Sequence, residues 1–201
     1  MKGFEIVKQV WTIEGGEVAR ISSEIDESLV EKAVEILLQT KRSGKRIFAA
    51  GVGTSGAAAK KIAHTLCCVE FPCSFLSPGD AVHGALGVVQ PEDVVILISK
   101  GGNTREIVNM LDGLKAKNAK ILAITENKDS ILGSSATLHI PLRVQREPDA
   151  FNMLATASTM KVIAFFDAIA IALMYESGYT REQFAVIHPG GAVGDRLLHR
   201  T

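Results

Sequence analysis

Excess charge of either sign is the first thing this chain lacks: 22 Lys and Arg residues offset 22 Asp and Glu residues, for a formal charge of zero. That balance excludes a broad electropositive face of the kind that holds nucleic acid or an anionic membrane, so any anion has to be bound locally. Cysteine is also scarce. Cys67, Cys68 and Cys73 form neither a C-x-x-C pair nor a disulfide ladder, and they read as small buried hydrophobes of a chain kept in a reducing cytoplasm. No histidines and carboxylates have the short spacing of a site such as H-E-x-x-H, so neither a metal nor another cofactor is expected. The N-terminus, MKGFEIVKQVW, carries Glu5 and no continuous apolar stretch, which argues against a signal peptide. The one long apolar segment, MLATASTMKVIAFFDAIAIALMYESG, is interrupted by Lys161 and Asp167 within the length a bilayer requires, and it reads as a buried helix.

What is present fits one globular unit with a sizeable core: 201 residues, 47% of them hydrophobic. Ile6, Val10, Ile13, Ile21, Ile25, Leu29, Ala33, Val34 and Leu37 recur at helical spacing over residues 4–40, with Gly15-Gly16 weakening the middle. From residue 46 the pattern changes to five short apolar runs, RIFAAG, CSFLS, DVVILIS, KILAIT and TLHIPL, separated by helical segments. The helices are expected near 55–70, 104–118, 129–135 and 153–177, with a turn or two after Pro189. Runs such as VVILIS and ILAIT are apolar on both faces, as parallel strands covered on both sides must be. The expected fold is therefore α/β, a three-layer, doubly wound, five-stranded parallel sheet, with a helical segment 1–40 preceding an α/β core 41–201. Helix 153–177 is apolar around much of its circumference, more than one sheet face covers, which points to a subunit contact.

In such sheets ligands bind beyond the carboxyl ends of the strands, and the loops 51–56, 77–84, 99–104 and 125–129 should converge there. Gly51, Gly53 and Gly56 have the spacing G-x-G-x-x-G. A dinucleotide site would also need an acidic residue ending the second strand, about 20 residues on. That strand ends in Ser77-Pro78, and Asp80 lies past the turn. A second glycine-rich exit, ISKGGNTRE, follows the third strand, and two anion cradles suggest one small phosphorylated ligand between them. Ser55, Ser99 and Thr104 offer hydroxyls there, and the backbone of residues 101–104 offers N–H groups. Ser55, with Asn103 or Thr104, would equally serve to cap helices, and a cap and a phosphate use adjacent amides.

GVGTSGAAAKKIA, PGDAVHGALGVVQPEDVVILIS, GGNTREI, TAST and HPGGAVGDRLL together resemble the sugar isomerase (SIS) domain in its arabinose 5-phosphate isomerase branch, nearly throughout residues 1–201. The resemblance implies a flavodoxin-like sheet, a sugar phosphate ligand, and a homotetramer with active sites between subunits. It implies catalytic roles for His83, Glu106, Glu147 and His188. Ligand contacts are implied for Thr156, Ser158 and Thr159, beside Gly53, Thr54, Ser55, Ser99, Gly101, Gly102, Asn103 and Thr104 of the two loops. Thr54 stands where the branch carries a lysine, and Gly101 where it carries a serine. Losing that lysine removes a cation able to stabilise a phosphate or a developing enediolate. Lys100 in the neighbouring loop is a candidate substitute, although surface exposure is the commoner fate of a lysine. Relatives in this branch often continue into paired cystathionine-beta-synthase domains; the sequence ends at Thr201, so a unit without them is expected.

The implied reaction is aldose–ketose isomerisation through an enediol. Glu147 would remove the carbon proton once burial brings its pKa toward neutrality, and His188 would shuttle the oxygen proton. His83 would assist ring opening and Glu106 would orient or polarise. Glu106 also falls three residues after Asn103, a capping-box relation. The rival is a non-catalytic phosphosugar sensor or regulatory protein, motivated by Thr54. A DNA-binding regulator is disfavoured, because Glu5, Glu14, Glu17, Glu24, Asp26, Glu27 and Glu31 crowd the N-terminal helices.

Overall fold

The computed structural model describes residues 2–190 and places the chain's secondary structure around one parallel sheet. Helices α1 (Gly3–Ala19), α2 (Ile21–Glu24) and α3 (Glu27–Arg42) precede β1 (Ile47–Gly51), α4 (Thr54–Cys67), β2 (Cys73–Phe75) and α5 (Pro78–Ala81). A 3-10 turn at Ala85–Val88 leads to β3 (Val94–Ile98), α6 (Arg105–Ala116), β4 (Lys120–Ile124), α7 (Ile131–Ser134), β5 (Leu138–Ile140), α8 (Ala157–Ser177) and α9 (Arg181–Ile187). The strand order is β2-β1-β3-β4-β5, all parallel, with Ile47 opposite Val94 and Val94 opposite Lys120. The five expected strands and the doubly wound order are borne out.

Alternation along the strands divides the core in two. Ile47, Ala49, Val94, Ile96, Leu122 and Ile124 face α4, α8 and α3. Phe48, Ala50, Val95, Leu97, Ile121 and Ala123 face the other layer, led by Ile107, Met110 and Leu114 of α6. Every residue of β1 and β3 is buried, which is why neither strand tolerates a polar face.

Several boundaries differ from the sequence reading. The N-terminal helix does not weaken at Gly15-Gly16; α1 passes through both, and the breaks fall at Arg20 and at Ile25-Asp26. Asp26 accepts a hydrogen bond from Ser28 N at 2.9 Å and so starts α3. The long helix begins at Ala157, not 153, because Asp149 takes the amides of Phe151, Met153 and Leu154 into a capped loop. Helix α9, opened by a Thr180–Gln183 capping box, has no counterpart among the expected elements. The turns expected after Pro189 lie outside the described residues.

Helix α8 has the length and composition to cross a membrane, yet half of its apolar window is buried within the fold. It packs on α4, α1 and α3, so the N-terminal helices supply much of the cover assigned above to another subunit. The residues that break its apolar run are both partnered. Asp167 pairs with Lys61 of α4, and buried Lys161 donates to Glu24 at 2.9 Å and to the Arg143 carbonyl at 2.6 Å. Met160, Ile171 and Tyr175 remain exposed.

The first glycine loop is shaped by packing as much as by any ligand. A Cβ on Gly51 would lie 2.5 Å from the Ser55 carbonyl oxygen, and one on Gly56 2.8 Å from the Gly51 oxygen, so these two glycines let β1 and α4 meet backbone to backbone. Only Gly53, at φ +58°, is required by conformation.

Candidate active site

Three helices open toward the carboxyl edge of the sheet, and none has a side-chain cap of its own. Gly53 precedes α4, Thr104 precedes α6 and Thr156 precedes α8, each without a side-chain capping bond. The capping roles weighed for Ser55, Asn103 and Thr104 are therefore not observed. Asn103 Oδ1 instead accepts from Ile131 N at 3.0 Å, tying the β3 exit to α7. Ser99 and Thr104 share a 2.8 Å hydroxyl bond, and Gly102 N donates to Ser99 Oγ at 3.1 Å. Gly102 has φ +73°, and a Cβ there would collide with Ser130 Oγ, so glycine is required by both shape and conformation. Because the first amides of α4 and α6 lack caps, they face the edge as donors suited to an anion.

The third helix start is occupied. Glu147 is completely buried, and its Oε2 accepts from Thr156 N at 3.1 Å and Ser158 N at 3.3 Å, the opening amides of α8. Its Oε1 accepts from Lys100 Nζ at 2.9 Å. Its own amide donates to Asn152 Oδ1 at 2.6 Å. Burial alone pushes this carboxyl up, but the bonds from Lys100 and Ser158 outweigh it and hold the group below its usual value. This corrects the expectation that burial would bring Glu147 toward neutrality: the helix start and the ammonium both favour the anion. Lys100 is correspondingly the ion-pair partner of a buried acid and not a free surface lysine.

An acid limb in stability follows. Glu147 and Glu24 both lie below the ordinary 4.5, Glu24 chiefly through its bond from Lys161. A depressed carboxyl stabilises the fold above its unfolded value and loses that contribution as pH falls through its folded value. The thermal midpoint should therefore drop as pH falls below about 4.5, and Glu147→Gln should flatten the drop in a pH series of melting curves.

The cleft between the starts of α4 and α8 is lined by Ser55 and Ala58 of α4, Ile98 and Lys100 at the β3 exit, and Ile124, Thr125 and Glu126 at the β4 exit. Leu142 and the α8 residues Ser158, Thr159 and Val162 complete it. Of the residues expected from sequence, Ser55, Ser158 and Thr159 line it directly. Ser99, Gly102 and Thr104 build the loop that carries Lys100, while Gly53, Thr54, Gly101 and Asn103 are exposed on the two glycine loops. Thr156 Oγ1 is buried with no hydrogen-bond partner among the described residues. Thr125 and Glu126 are not singled out by the sequence, although the β4 exit loop is. Thr125 is buried and donates to the Lys100 carbonyl at 2.9 Å, so it fixes the lysine's backbone.

Three expected residues are not brought to the cleft. Glu106 is exposed in the first turn of α6, where Thr104 and not Asn103 is the cap position, so the capping box is not formed. His83 is exposed beside Gly84. His188 ends α9, where its ring stacks on Phe184 at 3.9 Å and its Nδ1 lies 3.0 Å from the Phe184 carbonyl. The 21 residues of α8 carry the chain about 30 Å from Ser158. Tyr179 then donates to the Cys68 carbonyl at the far end of α4, at 3.4 Å. Helix α9 spans seven residues, about 10 Å, too short to return. His188 thus lies at the opposite pole from its own chain's cleft.

Residues 42–172 match the SIS domain family. Among solved structures, a Listeria monocytogenes str. 4b F2365 protein described as a candidate sugar-phosphate isomerase is 48% identical, with TM-score 0.90 over 93% of this chain and 96% of its own. An Escherichia coli CFT073 protein solved in complex with arabinose 5-phosphate is 30% identical, with TM-score 0.88 over 94% of this chain and all of its own. The arabinose 5-phosphate isomerase KdsD of Francisella tularensis subsp. tularensis is 37% identical over 179 residues, covering 89% of this chain and 54% of the relative. The chain thus spans about half the length of the curated relatives it matches. With the sheet order, the two uncapped helix starts at the glycine loops and the family match agreeing over residues 42–172, the chain belongs to the SIS domain family.

Proposed function

We propose that the chain is a phosphosugar isomerase that interconverts a phosphorylated aldose and ketose, of the arabinose 5-phosphate and ribulose 5-phosphate kind, through an enediol. The observation that carries this reading is a fully buried carboxylate, Glu147, bonded to the Lys100 ammonium that lines a cleft with Ser55 at the uncapped start of α4 and Ser158 at the start of α8. The name of the KdsD relative and the sugar phosphate bound by the Escherichia coli CFT073 protein support the same substrate class.

In this reading the phosphate sits on the opening amides of α4 and α6 with Ser55, Ser99 and Thr104, and the hydroxyls of Thr156, Ser158 and Thr159 face the sugar. Holding the phosphate fixes the reactive carbons, so the anchor contributes to rate as well as affinity. Glu147 takes the proton from C2 of the open-chain aldose and returns it to C1, while the proton on O2 passes to O1. His188 serves the oxygen transfer from a second copy, because its own cleft is out of reach. That arrangement calls for an oligomer with shared sites, and the resemblance to the isomerase branch makes it a homotetramer. His83 assists ring opening and Glu106 polarises from a second copy as well, since neither lines the cleft of its own chain. The chain acts as a single SIS unit over residues 1–201 in the cytoplasm, without nucleic acid or membrane partners.

The test is a thermal-shift panel of pentose and hexose phosphates, followed by solvent-deuterium incorporation with the best binder. Stabilisation together with deuterium at the carbon beside the carbonyl is expected. Stabilisation without exchange would make the chain a sensor instead, and absence of both would overturn the phosphosugar site itself.

A further inference from the structure

Glu147 has partners of unequal character. The start of α8 supplies two backbone amides, which cannot leave without unwinding the helix, and the Ser158 side chain. The one charged partner among the described residues is the Lys100 ammonium, on a flexible unbranched side chain that is 41% exposed. The Lys100 backbone is pinned, since its carbonyl accepts from both Thr125 Oγ1 and Glu126 N at 2.9 Å. Only its side chain is free to swing. Lys100 also sits in the same loop as Ser99 and the uncapped start of α6, and it lines the cleft with Ser55 at the start of α4, so a phosphoryl group that enters the cleft meets its ammonium. The other charged group lining the cleft, Glu126, is an anion and offers Glu147 no replacement. Lys161, one turn along α8 from Ser158, is already engaged by Glu24 and Glu17.

We infer that Lys100 is a phosphate-responsive counter-ion: a bound phosphoryl group competes with Glu147 for its ammonium and, on winning it, leaves the buried carboxylate as a base. The inference rests on the isomerase reading of the cleft and adds a specificity device to it. A sugar without a phosphate leaves the ion pair closed, and Glu147 stays a weak base held by a lysine and a helix start. A phosphorylated sugar opens the pair and unmasks the base at the moment the substrate is seated. Discrimination then comes from the charge on Glu147 as well as from binding energy.

The test needs no turnover. The full chain labelled with 13C at glutamate side-chain carboxyls is titrated with acid by NMR, the Glu147 resonance being assigned by its loss in Glu147→Gln. In Lys100→Met the midpoint should rise by about one pH unit or more, as loss of an adjacent cation requires. Saturating inorganic phosphate should raise the wild-type midpoint in the same direction, and this response should be largely lost in Lys100→Met. Lys100→Arg, which keeps the charge, should hold the phosphate-free midpoint near wild type and serves if the methionine variant does not fold. A Glu147 midpoint that phosphate leaves unmoved in the wild type, or lowers, overturns the inference. Because deuterium incorporation by the wild type is scored separately, that failure is distinct from failure of the isomerase reading.

Discussion

Glu147→Gln should cut solvent-deuterium incorporation into the substrate by about 100- to 10,000-fold, the range lost when a positioned acid–base group is removed. The amide is nearly isosteric, and its oxygen can still accept from Thr156 N and Ser158 N, so the start of α8 is retained. It cannot take a proton from carbon. Ligand-induced stabilisation should therefore survive while exchange is lost, and the loss should fall on kcat more than on KM. Exchange at the original rate would remove Glu147 from the role of base.

Lys161→Met should destabilise the fold by about 1–3 kcal/mol: Glu17 and Glu24 both keep the Arg20 guanidinium, but Glu24 loses one of its two cationic partners and the Arg143 carbonyl loses its donor. Lys161 and Glu17 are each only 2% exposed, and Lys161 also holds Glu24 and the carbonyl of Arg143. Glu17 in turn accepts from Gln145 N at 3.0 Å. This cluster therefore joins α1 and α2 to the segment that leads from β5 into Glu147. Hydrogen exchange should accelerate in α1 and around residues 143–147 together. A change below about 1 kcal/mol in denaturant unfolding would show that the N-terminal helices are held by apolar packing alone.

These effects also mark what the sequence makes legible. The inner strands β1, β3 and β4 stand out because a parallel strand buried on both faces is a continuous apolar run, and VVILI and ILAI have no competing pattern. Loop positions follow from that order, since parallel strands deliver their exits to one edge. The start of α8 is hidden in the sequence because its cap is Glu147, nine residues before Thr156, and no local pattern announces so distant a partner. Gly15-Gly16 misleads for a related reason: α1 packs along α8, and tertiary contact overrides the weak propensity of two glycines. Asn103 resembles a cap by type and position, yet its side chain is spent on α7.

The charge state of Glu147 is where sequence and structure differ most. Its burial is legible in principle, but the two amides and the lysine that reverse the effect come from residues 156, 158 and 100. Such a balance is set by tertiary placement. His188 stands out by motif alone; that it lies a helix length from its own cleft emerges only from the course of α8 and α9.

Isomerisation in this cleft depends on where a sugar phosphate sits, and a crystal structure of the full chain soaked with arabinose 5-phosphate tests this most directly. It should show the phosphorus on the first amides of α4 and α6, the Lys100 ammonium turned from Glu147 toward the phosphate, and the sugar's C1–C2 bond beside the Glu147 carboxylate. A phosphate bound elsewhere on the molecule, or a cleft closed by the chain's own side chains, would contradict it.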